Sequence, residues 1–384
     1  MNITRVLATP LSANFADIFG GIDKVPSWML RPTAHFQSIP RSGQYSTLVT
    51  VEVEDGTVGY GEAWGLPIPE VSATIVNKLI APMLEGQPLE SFPRLWNELT
   101  LYFKRLGFTR GGTMEALAGV DIAYWDLRGR LENLPVSELI GPKCRSAVEC
   151  YASPIMFKET AAESRLAAVE FRQAGFNAIK IKAGRGVATD AEHIRSVRET
   201  VGPDIDLMID VNGGYVVETA IALARAVEDC NIAWLEEPVP SSALGDYARI
   251  KSETGIRVAV GENDFTDDDF RSLLEFGKAD IVMPNVTRAG GITGVLKIAA
   301  LAQDYGAEFS LHGVGSGLMQ CASLHVLGVV PNARYFEVNT FPNPLRDRLA
   351  LPAPRLEGGC LHLPEGPGLG CAVDPQTVEV FKAA

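Results

Sequence analysis

Three carboxylates recur at equal spacing along the second half of the chain. Asp210 stands in M-I-D-V-N, Glu236 in W-L-E-E-P and Glu262 in V-G-E-N, with 26 residues from each acid to the next. One strand with its following helix occupies about that length, so the acids are predicted to share one rim of a parallel sheet. Three anions at one place need a cation, and all-oxygen ligands favour Mg²⁺ over Zn²⁺. The alternative is that each acid caps the helix after its strand.

Two lysines precede the first acid by one further unit. Lys180 and Lys182 flank Ile181, and strand alternation places both lysines on one face. Two ammonium groups beside a divalent cation lower each other's pKa, which would provide a neutral amine base. The alternatives are a solvated basic strand end or counter-ions for the carboxylates.

The same step continues downstream through Asn285 in M-P-N-V-T-R, His312 in S-L-H-G and Glu337 in Y-F-E-V-N. His312 could act as a general acid or base across the barrel from Lys182, although a single histidine is more often structural. Glu337 could hydrogen-bond a substrate carboxylate or pair with a lysine.

Strand and helix patterns around these residues repeat in alternation. Short apolar runs predict strands at 178–181, 206–211, 232–235, 258–260, 279–283, 308–311 and 335–338. Helical patterns lie between them at 159–174, 188–201, 218–229, 267–275 and 291–305. Repeated strand–helix units predict a parallel sheet, and this number of units predicts a closed barrel.

The first part of the chain has a different, α+β pattern. Strands are predicted at 45–54 and 57–62 around the turn Asp55-Gly56, and helices at 71–84, 89–106 and 113–131, the last with Thr113 as its N-cap. Residues 13–40 are rich in glycine, proline and aromatic residues without periodicity, which predicts a long, mobile loop of the kind that acts as a lid.

Composition restricts the class of partner. The 384 residues carry a net charge of −13, which disfavours nucleic acids and anionic membranes but not a small anionic substrate in a local cationic pocket. The six cysteines form no C-x-x-C pair, and reduced thiols in a cytoplasmic protein are expected. The chain has no signal-peptide pattern at its start and no apolar run of about 18 residues, so no membrane span is expected.

Together these motifs resemble the enolase superfamily, in its mandelate racemase and muconate lactonizing enzyme branch. The motifs that carry the resemblance are G-Y-G-E-A near 58–63, A-L-A-G-V-D-I-A-Y-W-D-L at 116–127, K-I-K at 180–182, D-V-N at 210–212, E-E-P at 236–238, G-E-N at 261–263, R-A-G-G-I-T at 288–293 and P-G-L-G at 367–370.

The resemblance implies an α/β protein with a modified (β/α)7β TIM-like barrel and an α+β capping domain. It places the capping domain at 1–130, the barrel at 131–350 and a C-terminal segment returning to the cap at 351–384. It also favours symmetric homo-oligomers.

Residue roles follow from the same resemblance. It implies Mg²⁺ held by Asp210, Glu236 and Glu262, and proton abstraction from the carbon α to a substrate carboxylate. Lys182 resembles the base, and Lys180 the lysine that contacts the substrate carboxylate.

Further positions match the outer parts of the family's site. His312 matches the histidine of the seventh strand, Glu337 the eighth-strand carboxyl group that hydrogen-bonds the enolate, and Asn212 a position that contacts substrate or the lysines. Specificity loops are expected near 14–40 and 62–69, where the candidate substrate contacts are Phe15, Trp28, His35 and Trp64.

One position departs from the family pattern. Asn285 stands where many relatives have an aspartate that pairs with the histidine, or a lysine. Because asparagine supplies no negative charge, we expect His312 to be a weaker base and a readier proton donor. This favours elimination over racemisation by two bases.

The leading functional hypothesis is therefore a Mg²⁺-dependent dehydratase that converts an acid sugar to a 2-keto-3-deoxy acid. Alternatives with the same first step are a racemase or epimerase of a 2-hydroxy acid and a sugar-acid lactone cycloisomerase. A Schiff-base aldolase and a non-catalytic binding protein are rival hypotheses from other classes.

Overall fold

The computed structural model describes residues 1–33 and 36–383. Its first part contains an antiparallel sheet with the order β1-β2-β3. The strands are β1 (Ile3–Asn14), β2 (Gly43–Val53) and β3 (Val58–Trp64). The Thr57 amide donates to the Asp55 carboxylate (2.9 Å) in the turn between β2 and β3, and Gly56 takes a φ of 83° that costs glycine little.

Helices cover this sheet and lead to the barrel. They are α1 (Phe15–Phe19), α2 (Ser27–Leu30), α3 (Pro69–Ile75), α4 (Ala81–Leu84), α5 (Phe92–Leu106), α6 (Gly112–Glu132) and α7 (Val136–Ile140), with a π-helical turn at Val76–Ile80 between α3 and α4. α6 lies directly on β3, where a Cβ atom at Gly61 would stand 2.2 Å from the Gly119 carbonyl oxygen. Glycine is therefore required for this close approach of helix and strand.

Residues 147–339, which the structure describes throughout, contain a closed barrel of eight parallel strands. The strands are β4 (Ala147–Ile155), β5 (Ala178–Lys182), β6 (Asp206–Asp210), β7 (Ile232–Glu236), β8 (Val258–Val260), β9 (Ile281–Val282), β10 (Glu308–Leu311) and β11 (Ala333–Asn339). Each strand pairs with the next, and β11 pairs with β4 to close the ring. The predicted α/β barrel with an α+β cap is thereby confirmed.

Helices pack around the outside of the barrel: α8 (Ala161–Gln173), α9 (Val187–Val201), α10 (Val217–Ala226), α11 (Leu244–Thr254), α12 (Asp267–Glu275), α13 (Gly291–Asp304) and α14 (Gly317–Val329). Alternate strand residues pack against these helices, and the others fill the barrel. Tyr151 and Trp234 form an apolar floor, with ring centroids 5.6 Å apart. Two positions farther along their strands, the side chains are polar or charged, Ser153 on β4 and Glu236 on β7, because this end of the barrel opens to the cap.

The last residues contact both parts of the molecule. They form α15 (Pro344–Arg348), β12 (Ala350–Leu351), β13 (Leu356–Glu357), β14 (Cys360–His362), β15 (Ala372–Val373) and α16 (Pro375–Phe381). β14 pairs antiparallel with β4, and the Ala383 amide donates to the Pro10 carbonyl (2.9 Å) in the cap. The domain boundaries at 130 and 350 stay predictions.

Glu62, on β3, joins the cap to the barrel. It is 1% exposed and accepts hydrogen bonds from the amides of Ser316 (2.9 Å) and Met319 (3.0 Å), at the start of α14. Burial raises the pKa of Glu62, although the hydrogen bonds from Ser316 act in the opposite direction. This contact fixes the loop after β10 against the end of β3.

Some local predictions were wrong. β1 and β4 were not predicted as strands; each contains a proline, Pro10 or Pro154, and proline weakens a strand pattern. α11 and α14 were also not predicted. Thr113 is not an N-cap, because α6 begins at Gly112 and the Thr113 hydroxyl donates to the Phe108 carbonyl oxygen.

Residues 13–40 are not a continuous loop where the structure describes them, since they include α1 and α2. Phe15, Val25 and Met29 are buried there with Met156 and Phe341 of the barrel side. The apolar residues of this segment therefore serve a small core. We use the name lid for residues 15–33 and 36–42.

No helix of the described residues has the length and apolar character needed to cross a membrane. The six cysteines are unpaired.

Candidate active site

The three predicted metal ligands lie at the carboxyl ends of neighbouring strands. Asp210 and Glu236 end β6 and β7, and Glu262 follows β8. One carboxylate oxygen from each lies within 4.8 Å of the others. Burial raises the pKa of Glu236 to about 8, despite the neighbouring Lys180 ammonium group. The donor set fits a hard divalent cation such as Mg²⁺, whose charge would offset the cost of ionising buried carboxylates.

Lys180 is enclosed by carboxylates. Its Nζ lies 2.9 Å from Glu236 Oε1 and 2.8 Å from Glu337 Oε1, and Asp210 Oδ2 is 3.3 Å away. Burial lowers the pKa of Lys180, but these carboxylates outweigh burial and the net shift is upward. The lowered pKa predicted for the lysine pair depends on the charge of a bound divalent cation and stays a prediction. Lys180 is an ammonium group held beneath the cavity.

Lys182 lies two residues after Lys180, at the end of β5, and lines the main cavity. Its Nζ contacts the Asp210 carboxylate and donates to Asn212 Oδ1 (2.7 Å). Asn212, in the left-handed region with a φ of 49°, also donates from Nδ2 to Glu262 Oε1 (3.3 Å). Asn212 therefore connects the amine to the metal ligands.

His312 reaches the cavity from β10. Its Nε2 lies 3.2 Å from Glu262 Oε2 and 3.7 Å from Glu337 Oε2. Burial lowers the pKa of His312, against the effect of these two carboxylates. On the other side of the ring, Nδ1 lies 3.0 Å from Asn285 Nδ2.

Thr287 decides which way the Asn285 amide points. Its amide (2.8 Å) and its hydroxyl (2.6 Å) both donate to Asn285 Oδ1. Asn285 Nδ2 then faces the Val314 carbonyl (3.0 Å) and the imidazole, and an NH₂ group can only donate. His312 Nδ1 must therefore accept, which places the proton of the neutral ring on Nε2, toward the cavity. Thr287 was not predicted as a site residue.

Glu337 is ionised and held on both oxygens. Oε1 accepts from Lys180 and from the Ser153 hydroxyl, and the Gly313 amide donates to Oε2 (2.9 Å). Burial raises the pKa of Glu337, but the cations, with Lys180 first, lower it more, and the net shift is downward. Of the two roles considered for Glu337, pairing with a lysine is the one seen. Gly313 has no room for a side chain, since a Cβ would lie 1.8 Å from the Glu337 carbonyl oxygen.

The four predicted substrate contacts in the cap differ in position. Trp64 lines the cavity beside His312, with ring centroids 6.0 Å apart. Phe15 and Trp28 do not line it: Phe15 is buried in the core of the lid, and Trp28 packs on Phe341 (5.8 Å) at a separate surface depression. Those two predictions were wrong, because the short helices of the lid turn these rings away. His35 lies outside the described residues.

Several cavity residues were not predicted. Arg288 lies over the Trp64 ring (4.8 Å) and pairs with Glu115 (3.1 Å). It is the first residue of the R-A-G-G-I-T motif, which could have identified it. No sequence pattern indicated Arg41, which also lines the cavity.

Glu237 was also not predicted. It is 2% exposed, and both its oxygens accept from Asn263 Nδ2 (3.1 and 2.9 Å). Burial, with the charge of Glu262 next, raises its pKa well above the ordinary value. Glu237 therefore supports the loop that carries Glu262.

The cavity lined by Lys182, Glu262 and His312 has a volume of about 280 Å³. That volume lies near the lower end of ligand pockets, about 300–1,000 Å³, and suits a small metabolite. A site with buried carboxylates for a metal, an amine and an imidazole N–H is equipped for proton transfer next to a metal-bound group.

Comparison with known proteins agrees with this geometry. Residues 163–377 match the family model described as enolase C-terminal domain-like, and residues 24–141 match the N-terminal domain of mandelate racemase and muconate lactonizing enzyme. The chain belongs to the enolase superfamily. Its branch is that of mandelate racemase and muconate lactonizing enzyme.

Individual relatives of this superfamily cover most of the chain. A D-galactarolactone cycloisomerase of Agrobacterium fabrum is 33% identical over 87% of this chain and 90% of its own. An L-rhamnonate dehydratase of Saccharopolyspora erythraea is 32% identical over 86% and 83%. The crystal structure of a racemase from Streptomyces coelicolor A3(2) with bound magnesium superposes with a TM-score of 0.88, at 28% identity over 99% of this chain and 100% of that one.

Proposed function

We propose that this enzyme abstracts the proton α to the carboxylate of an acid sugar and then eliminates a β-hydroxyl group to form a 2-keto-3-deoxy acid. The observation that carries the proposal is that Lys182, His312 and Glu262 line one cavity, and that Glu262 forms a carboxylate cluster with Asp210 and Glu236. Mg²⁺ held by the cluster would polarise the substrate carboxylate and stabilise the negative charge that develops there. A relative that is a dehydratase and a racemase structure with bound magnesium support this reading.

Lys182 is the base in this proposal. Lys180 is 1% exposed and already engaged by three carboxylates, whereas Lys182 lines the cavity. The α-proton is transferred to the Lys182 Nζ.

Lys180 and Glu337 supply fixed charge below the substrate. Lys180 remains an ammonium group near the substrate carboxylate, where it stabilises negative charge that increases during proton removal. Glu337, tied to Gly313 and Ser153, holds Lys180 in place. Neither group has to move during the reaction.

His312 acts on the departing oxygen. Its Nε2–H donates a hydrogen bond to the β-hydroxyl oxygen and stabilises the negative charge on that oxygen as the C–O bond breaks. The proton that Lys182 has taken from the α-carbon then passes from its Nζ to the departing hydroxide, so that water is released and both side chains return to their starting protonation states. Because Asn285 donates to Nδ1, Nε2 offers no lone pair with which to remove a proton from the opposite face. This disfavours racemisation by two bases.

A second candidate, a sugar-acid lactone cycloisomerase, shares the proton abstraction by Lys182. It is favoured by the relative that is a D-galactarolactone cycloisomerase and by the Nε2–H of His312, which can donate to a ring oxygen as well as to a hydroxyl group. The predicted homo-oligomer and cytoplasmic location stay predictions.

The test follows α-proton exchange and product type in one experiment. The protein with Mg²⁺ is incubated in D₂O with aldonates, aldarates and their lactones, and NMR is combined with semicarbazide trapping of keto acids. We expect a 2-keto-3-deoxy product and no deuterium in recovered substrate of the inverted configuration. Deuterium in both configurations would establish a racemase, and a keto acid formed from a lactone but not from the open-chain acids would establish the cycloisomerase.

Two variants separate the base from a general effect of lost charge. Lys182→Met should abolish exchange with every acid. Lys158→Met is the control, because Lys158 lies over the Trp28 ring (4.8 Å) outside the cavity. Activity that survives EDTA together with borohydride trapping of a lysine would instead support the Schiff-base aldolase.

A further inference from the structure

Arg41 is a buried cation at the lid side of the cavity. It is 7% exposed, and its guanidinium carbon lies between two aromatic rings, 5.9 Å from the Phe15 centroid and 5.8 Å from the Phe341 centroid. Arg41 lines the same cavity as Lys182 and His312. A charged side chain in such surroundings needs a compensating partner.

Within residues 1–33 and 36–383, no carboxylate of this chain forms an ion pair with Arg41. Its Nε donates to the Gly43 carbonyl (3.1 Å), and its Nη2 donates to Gln44 Oε1. These acceptors are neutral, so they satisfy N–H groups without balancing the charge. Burial lowers the pKa of Arg41 to about 10, which reflects the cost of keeping this charge away from water.

The guanidinium group is nevertheless held firmly in place. Gln44, which accepts from Arg41, donates to the Pro342 carbonyl (3.0 Å) just after β11. The Arg41 amide donates to the Leu30 carbonyl (2.8 Å) within the lid. Arg41 is thus positioned from both the lid and the barrel, and a ligand would bind it with little loss of conformational entropy.

Thr33 is a second residue of the lid at the same cavity. It is 8% exposed and lines the cavity, and among the described residues its hydroxyl has no hydrogen-bond partner. The hydroxyl oxygen itself is enclosed by the protein, so Thr33 contributes to the cavity wall but presents no hydrogen-bonding group to a ligand. The lid therefore offers one uncompensated cation, Arg41, to the substrate.

We propose that Arg41 binds a second carboxylate of the substrate, at the end remote from the reacting carbon, so that this enzyme acts on aldarates or their monolactones rather than on aldonates. This inference rests on the proposed function, since the metal cluster and Lys180 serve the first carboxylate. The cavity of about 280 Å³ favours a small dicarboxylate over a phosphorylated acid, which offers the same kind of anion at greater size.

The first experiment compares matched substrates. Initial rates with Mg²⁺ are measured for galactarate against galactonate, glucarate against gluconate, the aldarate monolactones, and 6-phosphogluconate. We expect kcat/KM for the dicarboxylates or their lactones to exceed that of the matched aldonates at least tenfold. Equal or faster turnover of aldonates, or a preference for the phosphorylated acid, would overturn the inference.

The second experiment asks whether Arg41 is the residue responsible. Arg41→Met should raise KM for the dicarboxylate roughly 10- to 100-fold, as expected for loss of a charged hydrogen bond, with little change for an aldonate. Arg41→Lys should recover part of this loss. A purely structural role in the lid would reduce activity toward both substrates equally, and this result would also overturn the inference.

Arg31→Met is the matched control, because Arg31 belongs to the same lid, is exposed and bonds to the Gln37 carbonyl. It should leave the substrate preference unchanged. Thermal melting of all three variants checks folding. If no acid shows α-proton exchange, the proposed function fails together with this inference, whereas aldonate turnover that is independent of Arg41 contradicts the inference alone.

Discussion

Replacing Asn285 by aspartate should convert His312 from a hydrogen-bond donor into a base. In the native arrangement the backbone and hydroxyl of Thr287 fix Asn285 Oδ1, so that Nδ2 faces His312 Nδ1 at 3.0 Å. In Asn285→Asp one oxygen still accepts from Thr287, and the other replaces Nδ2. That oxygen accepts a hydrogen bond from Nδ1–H, so the neutral ring carries its proton on Nδ1 and the lone pair of Nε2 then faces the cavity.

The magnitude follows from the distance. Opposite charges about 4 Å apart interact by about 4 kcal/mol at an effective dielectric constant of 20, and about 1.4 kcal/mol corresponds to one pKa unit. We therefore expect the new carboxylate to stabilise the charged form of the ring by up to about 4 kcal/mol, which raises the pKa of His312 in the variant. The new carboxylate also loses the bond to the Val314 carbonyl (3.0 Å in the native chain), which should reduce the free energy of unfolding by roughly 1–3 kcal/mol.

The assay measures deuterium incorporation into recovered substrate, along with the pH dependence of kcat/KM. Asn285→Asp should introduce deuterium exchange of the α-proton on the face of the substrate that His312 contacts. The limb of the pH profile that belongs to His312 should also move to higher pH. Asn332→Asp is the stability control, because Asn332 Nδ2 likewise donates to a backbone carbonyl, that of Ala307 (3.1 Å). An unchanged pH profile with no new exchange would refute the assignment of the His312 proton to Nε2.

Two further predictions concern the metal and a buried acid. Glu236→Gln should abolish Mg²⁺ binding, measured by calorimetry, and turnover, measured by α-proton exchange. The control Glu228→Gln changes an exposed carboxylate and should affect neither. Mg²⁺ binding that is retained in Glu236→Gln would contradict the proposed set of ligands. Burial raises the pKa of Asp121 from 3.8 to about 7, so between these pH values Asp121 binds a proton in the folded state but not in the unfolded state. The free energy of unfolding should therefore fall by roughly 4 kcal/mol as pH rises from about 4 to about 7. Asp121→Asn should remove that decline in urea unfolding measured across this range, and an unchanged slope would show that another group is responsible.

The periodic part of the fold could be predicted from sequence because it depends on local patterns. β8 and β10 have the predicted bounds, and the equal spacing of Asp210, Glu236 and Glu262 placed them on one rim. β1 and β4 were missed because their prolines and mixed patterns hide strands whose partners are distant in sequence. Pairing with those partners, rather than local preference, makes these segments extended.

The sequence by itself predicted the barrel, the cluster of three carboxylates and the candidate lysines and histidine, since all of these follow from residue type and the length of one strand–helix unit. Only the tertiary structure decided that Lys180 is charged, that Phe15 packs inward while Arg41 lines the cavity, and that Thr287 orients Asn285. Each of these depends on which neighbours lie within a few ångströms, because burial and nearby charges set both the protonation and the orientation of a polar group.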